Sequence, residues 1–252
     1  MASADRINDV RLEKLDLILD SGDVVSLLDL FQSIDFYQDL FGNPLYCEIF
    51  INDALDLYGS LPIKNNEMLE VKFNSPENNV VSKTMRLFSK ENVILSESGR
   101  VTSYKLGFLS PESIKNASYK VSRSYSGSLS SMAGALWSDN FPESEPIQLE
   151  ESKGEYTVVL PYDSVFSHIF KLSKKARRND NENSCSFMFF EDFRGFNFVS
   201  LPLLFGESSK GYYSWELEEA ARREDRAVGV DYESSRFRIT EVDFVGKENF
   251  LD

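Results

Sequence analysis

Few side chains in this sequence are placed to carry out chemistry. His168 is the only histidine, and it lies within VFSHIFKL, whose apolar spacing is typical of an amphipathic helix. An imidazole in that setting is expected to pack in the core rather than to act as a catalytic base. Asp163 and Ser164 lie on the same turn as His168, and a catalytic triad is not built from a single turn. The sequence therefore predicts no nucleophile system and no enzyme activity.

Spacings typical of metal and phosphate sites are also missing. Cys47 and Cys185 are the only cysteines, and with one histidine they cannot complete a structural zinc site. The sequence has no calcium-loop spacing. The spacing of its acids excludes neither a magnesium site made of carboxylates alone nor a pair of glycosidase carboxylates. GESSKGYY, residues 206–213, has the glycine spacing of a phosphate loop, but tyrosines replace its lysine and hydroxyl residue, which indicates a turn. We expect no cofactor and no bound metal.

The ends and charges of the chain limit where it works and what it binds. The N-terminus has no apolar signal core, and no stretch approaches the ~18 apolar residues of a membrane span. We therefore expect synthesis in a cytoplasm, two buried thiols, and an unused sequon at Asn116. The net charge of −14 disfavours ordinary nucleic-acid binding. The basic run KLSKKARRN, residues 171–179, is interpreted as a solvated helix end, with a partner-binding patch as the alternative.

The first 110 residues have the pattern of an antiparallel sheet. Leu15, Leu17 and Leu19 alternate with polar residues, and turn signals such as SGD at 21–23 separate the apolar runs. The runs follow one another too closely for the helical crossovers of a parallel sheet. Strands are expected in residues 10–20, 23–40, 45–53, 68–73, 81–93 and 103–110. The sequence predicts a barrel or sandwich that closes near Leu109.

Residues 111–205 mix helix and strand signals. Ser110 is a candidate N-cap for a short helix that Pro111 would begin, and Asp163 is a candidate cap for a later one. Strands are expected in 115–127 and 156–160, helices in 128–138 and 163–178, and a glutamate-rich surface loop in 141–155.

SFMFFEDFRGFNFVSL, residues 186–201, holds six phenylalanines and alternates as a two-faced β-hairpin. Phe187 and Phe189 are expected on one face and Met188 and Phe190 on the other, joined by a loop of about five residues that contains Gly195. We expect this hairpin to lie between the barrel and the two helices.

Together these patterns predict a β-rich α+β fold. An antiparallel β-barrel is expected in residues 1–110 and a smaller α+β domain with the aromatic hairpin in 111–205. Residues 206–252 carry charges of both signs and end near FRITEVDF, which alternates like a strand. This segment is expected to be either the start of a second barrel or an arm that orders on a partner.

The order of four segments resembles baseplate hub proteins of contractile-tailed phages, a family related to the base of type VI secretion spikes. The segments are IDFYQDL with EIFINDALDLYGSLPIKNNEMLEVKF, then KNASYKVSRSYSGSLSSMAGAL, YTVVLPYDSVFSHIFKLSKKA and SFMFFEDFRGFNFVSL, and they cover about residues 10–205. The resemblance implies a barrel of the tail-tube type with an α+β domain on its flank. It also implies a virion location, in a ring that joins the tail tube to the central spike and lets DNA pass.

Partners follow from the same resemblance. They are other copies of the chain, a tail tube or tube-initiator protein, the central spike protein and DNA in transit without specific binding, with no membrane. Family members usually continue into a second tube-like barrel. Because this sequence stops at Asp252, either a companion hub chain or a different copy number is expected.

Specific residues can be assigned to this role. Acids that face the bore would repel the duplex and keep it mobile, although simple solvent exposure is the alternative for each. The candidate channel residues are Asp16, Asp35, Asp39 and Asp53. The candidate subunit-interface residues are Phe36, Tyr37, Phe41, Tyr58, Leu61 and Pro62.

Two other classes of function compete with the hub subunit. A monomeric β-rich hydrolase or carbohydrate-binding protein would use the aromatic residues as a binding platform. A cytoplasmic tail-assembly factor is compatible with the acidic charge.

Overall fold

The computed structural model of the chain describes residues 11–41, 44–54, 57–60, 64, 66–74, 80–95, 101–179, 186–206, 215–216 and 238–239. The chain divides into two compact units, residues 1–201 and 202–252, and each is described by itself.

The alternating segments of the first hundred residues form one antiparallel sheet of seven strands. They are β1 (Arg11–Ile18), β2 (Val24–Ser26), β3 (Phe31–Tyr37), β4 (Tyr46–Asp53), β5 (Met68–Asn74), β6 (Val80–Leu95) and β7 (Thr102–Leu109), with a short helix α1 (Leu57–Ser60) after β4. Their order across the sheet is β2-β1-β5-β6-β7-β4-β3. Leu15, Leu17, Leu69 and Val71 all point to the same buried face, as the period of two requires.

The two outermost strands of this sheet are neighbours in sequence, which curls the sheet. Only residues 27–30 separate the end of β2 from the start of β3. Leu27 N donates to Leu15 O at 2.7 Å on the β1 side, and Asn52 N donates to Leu30 O at 2.9 Å on the β4 side. Four residues thus connect both edges of the sheet at one end, and the buried Leu27 fills the space between them. The expected barrel-like sheet is present.

The expected single strand in residues 23–40 is wrong. The segment makes two strands, β2 and β3, that lie on opposite edges of the sheet. LLDL, residues 27–30, has the apolar content of a strand, but it forms the turn that carries the chain across the open side. Its apolar side chains are needed there because the turn covers the core.

The rest of the first unit is an α+β arrangement. Its elements are α2 (Pro111–Ser118), β8 (Lys120–Gly127), α3 (Leu129–Asn140), β9 (Gln148–Leu149), β10 (Tyr156–Ser164), α4 (Val165–Ser173), β11 (Phe187–Asp192) and β12 (Gly195–Ser200). β8 pairs with β10, and β12 lies between β11 and the short parallel strand β9. The β-rich α+β class predicted from the sequence is confirmed.

Three boundaries in this part differ from the sequence predictions. Helix α2 continues to Ser118, so the expected strand begins only at Lys120, and Ser110 makes no capping hydrogen bond with its side chain. Strand β10 continues through Pro161 to Ser164, with a bulge after Leu160 that accommodates the missing amide donor. The 141–155 loop contains the two-residue strand β9.

Helix α4 is also shorter than the 163–178 expected. It ends at Ser173, and its N-cap is Ser164, whose hydroxyl accepts from Ser167 N. Asp163 supports the cap instead of forming it: its Oδ1 accepts from Ser164 N at 2.8 Å and its Oδ2 from Ser167 Oγ at 2.7 Å. Both residues have short acceptor side chains, so the sequence alone did not separate them.

The aromatic hairpin is formed by β11 and β12 as expected, with a shorter turn. Phe187, Phe189, Phe196 and Phe198 share one face and pack in a core with helices α3 and α4. The turn has two residues rather than about five, because pairing continues to Asp192 and Gly195. Gly195 has a φ of 135°, a left-handed conformation that favours glycine.

The described part of the second unit is small. Helix α5 (Leu201–Phe205) begins at the last residue of the first unit, and β13 (Trp215–Glu216) pairs antiparallel with β14 (Arg238–Ile239). GESSKGYY after Gly206, and FRITEVDF apart from β14, lie outside the described residues.

Candidate assembly surfaces and the joint at Glu191

The second half of β6 extends past its neighbour. Residues 80–86 pair with β5, and from Arg86 to Leu95 the strand pairs with β7. The final bond toward the β5 side runs from Leu87 N to Glu67 O at 2.9 Å. Within the described ranges, no strand lies on that side of residues 88–95, which we name the β6 overhang.

The β6 overhang exposes large apolar side chains. Phe88 is 57% exposed, Val93 46% and Ile94 62%. The pairing with β7 is irregular between Leu87 and Ser89 and again between Glu91 and Ile94, which increases the local twist. An unpaired strand edge with apolar side chains tends to associate with another protein surface.

Strand β3 forms an edge of the sheet and carries predicted interface residues. Tyr37 is 52% exposed, and Phe41, just beyond the strand, is 70% exposed. The negative charge of Glu48 raises the pKa of Tyr37, whose hydroxyl lies 3.5 Å from Glu48 Oε2. This edge therefore combines exposed rings with a carboxylate.

The other predicted interface residues are placed differently. Phe36 is half-buried and packs against Phe73 and Phe193, with ring centroids 5.8 and 5.1 Å away. The backbone of Tyr58 belongs to α1, but its side chain, like Leu61 and Pro62, lies outside what the structure describes.

Two of the four predicted channel acids lie on the sheet face that points away from the core. Asp16 alternates with the buried Leu15 and Leu17 on β1 and lies 3.6 Å from Lys14 Nζ. Asp35 is exposed on β3, opposite Glu48.

The remaining two acids have different surroundings. Asp39 Oδ1 accepts from Phe41 N at 2.8 Å in the turn after β3. Asp53 is only 1% exposed, with the Tyr104 hydroxyl 3.5 Å from its Oδ2. Three of the four acids are thus accessible in the single chain, and Asp53 is not.

Ion pairs make the outward face of the sheet mixed rather than purely acidic. A hydrogen bond from Lys14 to Glu70, 2.6 Å long, raises the pKa of Lys14. Lys72 lies 2.8 Å from Glu13 and lowers the pKa of that carboxyl. These exposed pairs contribute little to stability, but they leave the face less negative than the acids alone suggest.

A buried carboxyl connects the hairpin to the sheet. Glu191, at the end of β11, is 3% exposed, and its Oε2 accepts from Leu45 N at 3.0 Å, just before β4. Lys83 Nζ on β6 lies 4.0 Å from Oε1. Burial raises the pKa of Glu191 to about 7, a rise that hydrogen bonds from Ser110 and Leu45 oppose and the charge of Glu112 reinforces.

The hairpin turn also inserts an aromatic ring between two strands of the sheet. Phe193 contacts Phe36 on β3 and Phe73 on β5 in edge-to-face geometry, at 5.1 and 5.6 Å. Asp192 Oδ1 holds the turn by accepting from Arg194 N at 2.8 Å and Gly195 N at 3.0 Å. The hairpin contacts both the helices and the sheet, but the expectation that its two faces are covered by them holds only in part: one face packs on the helices, and the turn contacts the sheet.

The candidate reactive residues are packed as structural groups. His168 is fully buried, with Nε2 3.3 Å from Val121 O. Cys47 is a buried free thiol whose pKa is raised by burial, whereas Cys185 lies outside the described residues. Among the residues that the structure describes, no three His, Cys, Asp or Glu side chains are grouped to hold a metal ion. No helix in the described ranges has the length and apolar character to cross a membrane.

The basic run at the end of α4, residues 171–179, is partly used for internal contacts. Lys171 Nζ lies 2.7 Å from Asp163 Oδ2, and Arg178 Nε lies 2.9 Å from Glu150 Oε1. Lys174 lies over the ring of Phe170, 4.3 Å from its centroid. These contacts are typical of a helix end that packs against its own domain.

Sequence reasoning missed the β6 overhang and Glu191. The overhang could have been suspected because the apolar residues Phe88 and Ile94 do not keep the period of two with the buried Met85 and Leu87. Glu191 had no comparable signal, because its burial depends on residues far away in sequence.

Comparisons with known proteins gave matches only among solved structures. No protein-family model matches the chain, and no curated protein matches it. A tail protein from Neisseria meningitidis MC58 is 11% identical over 81% of this chain and 60% of its own, with a TM-score of 0.45. A Francisella PdpA-VgrG complex is 13% identical over 84% of this chain and 34% of its own, with a TM-score of 0.46.

A third similar structure is the E. coli c3393 protein, described as a type VI secretion component similar to the T4 bacteriophage tail proteins gp27 and gp5. It is 9% identical over 87% of this chain and 59% of its own, with a TM-score of 0.46. The chain thus spans between about a third and three fifths of the length of these structures.

Proposed function

We propose that the chain is a non-enzymatic structural subunit of a phage tail baseplate hub. In this role, copies of the chain form a ring that joins the tail tube to the central spike and lets DNA pass. The order of segments that resembles hub proteins motivates the proposal. The partners that this proposal implies are other copies of the chain, the tail tube or its initiator, the central spike and a companion hub chain.

The β6 overhang is the observation that carries this proposal. Three large apolar side chains, Phe88, Val93 and Ile94, are exposed along an edge that has no partner strand in the described structure. A monomer gains nothing from such an edge, which risks aggregation. Burial against a neighbouring subunit removes both the apolar exposure and the open edge.

The second surface of the same contact is proposed to be the β3 edge. It lies at the end of the sheet order, whereas β6 lies in the middle, and it exposes Tyr37 and Phe41. Contact between two different surfaces is heterologous, and repetition of it closes into a ring when the rotation between copies divides a full turn. Phe36, which is half-buried against Phe73 and Phe193, is left out of the proposed contact, and Tyr58, Leu61 and Pro62 are kept as proposed contacts.

We propose that Asp16, Asp35 and Asp39 line the DNA channel. Carboxylates along a bore oppose phosphate binding, so the duplex passes without being held. The buried Asp53 is left out of this surface. If the proposal holds, an assembled Asp16→Lys, Asp35→Lys variant retains labelled duplex DNA at low salt, while the wild-type assembly and Glu155→Lys do not. DNA retention by the wild type, or none by the double variant, contradicts the channel assignment.

Assembly is tested by light scattering on the full chain across a range of concentrations. We expect the wild type to reach a whole-number multiple of the 28.8 kDa chain mass. The double variant Phe88→Glu, Ile94→Lys should remain at the single-chain mass, because charges on the overhang oppose its burial. Val159→Lys is the matched control, since Val159 is 76% exposed on β10, outside the proposed contact.

Two results would overturn the proposal. One is a wild-type chain that stays monomeric at every concentration, alone and with the other components of a tail, as a carbohydrate-binding protein would. The other is an assembly that the overhang variant and the Val159 control affect equally, because the contact would then not involve the overhang.

A further inference from the structure

A cleft of about 920 Å³ opens beside the first half of β6. This volume is within the roughly 300–1,000 Å³ typical of binding sites. One wall is formed by residues 80–85 of β6 and another by residues 110–112, where β7 gives way to α2. The hairpin turn with Phe193 and the loop around Glu143 and Glu145 complete it.

The β6 wall of this cleft is a strand edge. Six consecutive residues line it, whereas the face of a strand would contribute only every second residue. The pairing between β6 and β7 ends where Arg86 of β6 lies opposite Leu109, the last residue of β7. After Leu109 the chain turns into α2. In the part of the chain that the structure describes, residues 80–85 therefore pair with β5 alone.

Backbone groups of this edge point into the cleft. Leu87 N donates to Glu67 O on the β5 side. The backbone groups of successive residues in an antiparallel strand point to opposite sides. The backbone N–H and C=O of Met85 therefore also face β5, and those of Ser82 and Thr84 face the cleft. The edge is about 17 Å long at ~3.3 Å per residue, so it can accept a strand of five or six residues.

The charges around the cleft are negative in sum. Lys83 lies 4.0 Å from Glu191, and the sum of the lining charges is negative whether or not Glu191 carries its charge. Beyond this pair the lining holds three glutamates and one arginine, namely Glu112, Glu143, Glu145 and Arg194. Cationic side chains on an incoming segment would be attracted to this surface, and anionic ones repelled.

We propose that this cleft binds an extended segment of a partner protein that carries lysine or arginine, added as a strand along residues 80–85. Hydrogen bonds to the backbone of Ser82 and Thr84 supply affinity, and the glutamates select for positive charge. The site is separate from the β6 overhang, so this proposal does not rest on the hub function.

The probe for this proposal is a capped eight-residue peptide in which lysine and valine alternate, titrated into the full chain at neutral pH. A peptide alternating glutamate and valine is the charge control. We expect saturable binding of the lysine peptide that is at least about tenfold tighter than that of the glutamate peptide and weakens with salt. Hydrogen exchange should slow at the amides of Ser82 and Thr84 when the lysine peptide binds.

Two pairs of variants separate strand addition from general attraction. Thr84→Pro removes the amide that faces the cleft and should abolish binding, whereas Thr84→Val keeps that amide and should bind as the wild type does. Glu143→Lys should weaken binding several-fold, and Glu155→Lys, an exposed acid outside the lining, should not.

Several outcomes would overturn the proposal. Equal binding of both peptides, binding by Thr84→Pro as tight as by Thr84→Val, or equal losses in the two glutamate variants would each do so. If Thr84→Pro fails to fold, hydrogen exchange on the wild type decides, and unchanged exchange at Ser82 and Thr84 contradicts strand addition. Protection of these amides before any peptide is added would show that another part of the chain, or another copy, already occupies the edge.

Discussion

Among the residues that the structure describes, the core enclosed by the seven-stranded sheet is mostly aliphatic, with two aromatic residues among its fifteen buried members, whereas six of the sixteen buried residues between the hairpin and helices α3 and α4 are aromatic. In the sheet, each buried Leu, Ile or Val alternates with a residue on the outward face. In the second core, rings from four separate segments meet, for example Trp137 with Phe196 at 4.5 Å and Phe166 with Phe189 at 5.3 Å. The buried face of the sheet is thus specified by each strand on its own. The aromatic core is specified only when distant segments of the chain meet.

This difference has a consequence for assembly. A sheet that is buried on one face keeps its backbone edges, and here both the β6 overhang and β3 expose large side chains at those edges. Strand β12 of the aromatic hairpin has no open edge of this kind, because it pairs on both sides and its residues 196–200 are buried. We therefore expect substitutions in the aromatic core to act on folding and substitutions at sheet edges to act on association.

The largest effect on stability is expected in the aromatic core. Phe189→Ala removes a ring that packs against Phe166 at 5.3 Å and Phe196 at 5.8 Å. It should lower the free energy of unfolding by about 3–5 kcal/mol, measured by urea denaturation. Phe88→Ala is the matched control, since Phe88 is 57% exposed, and it should change stability by less than about 0.5 kcal/mol. Equal losses in the two variants would show that the assignment of buried and exposed rings is wrong.

The joint between the two cores should make stability depend on pH. The folded-state pKa of Glu191 is about 7, above its ordinary value of 4.5, because the carboxyl is buried. The contribution of its protonated form to stability is therefore fully present below pH 4.5 and is lost as the pH rises through 7.

The Glu191→Gln variant isolates this effect because the amide stays neutral. Relative to this variant, the wild type should lose roughly 3 kcal/mol of unfolding free energy between pH 4.5 and pH 8. Glu112→Gln, which removes the neighbouring negative charge, should shift the transition toward lower pH. Parallel stability curves for wild type and Glu191→Gln would contradict the burial of an uncharged carboxyl at this joint.

A smaller effect is expected for a one-methylene change in the sheet core. Ile49 is fully buried on β4, opposite Ile34 of β3. Ile49→Val should cost about 1 kcal/mol, because the cavity it leaves is small. A loss above ~3 kcal/mol by the same denaturation assay would mean that the aliphatic core tolerates change no better than the aromatic one.

The smallest effect on stability is expected at the β6 overhang, where substitution is expected to abolish association. The double variant Phe88→Glu, Ile94→Lys replaces exposed side chains and should unfold within about 0.5 kcal/mol of the wild type when both are measured as monomers. Large destabilisation of the monomer would place these residues in the core of a single subunit.

The sequence predicted those parts of the fold that depend on local periodicity. Alternation at Leu15, Leu17 and Leu19 identified β1 and its buried face, and alternation at Phe187 and Phe189 identified the hairpin and placed these two rings on one face. Helix α3 was found from its apolar spacing. In each case the residues that define the element are close together in sequence.

Other features depend on contacts that one segment does not reveal. Residues 27–30, three of which are leucine, form a turn because they cross the open side of the sheet, which requires β1 and β4 to be in place. The sequence placed Glu191 in the polar loop of the hairpin, and it is buried because Leu45 and Ser110 meet it from distant positions. The length of β6 relative to β5 likewise appears only once the strands are paired.

Images of the assembled chain by electron microscopy bear on the proposed ring without any substitution. The account predicts closed particles with rotational symmetry and an open centre, because repeated contact between the β6 overhang and the β3 edge closes on itself. Single globular particles at every concentration, or particles without a central opening, would contradict a ring-forming hub subunit.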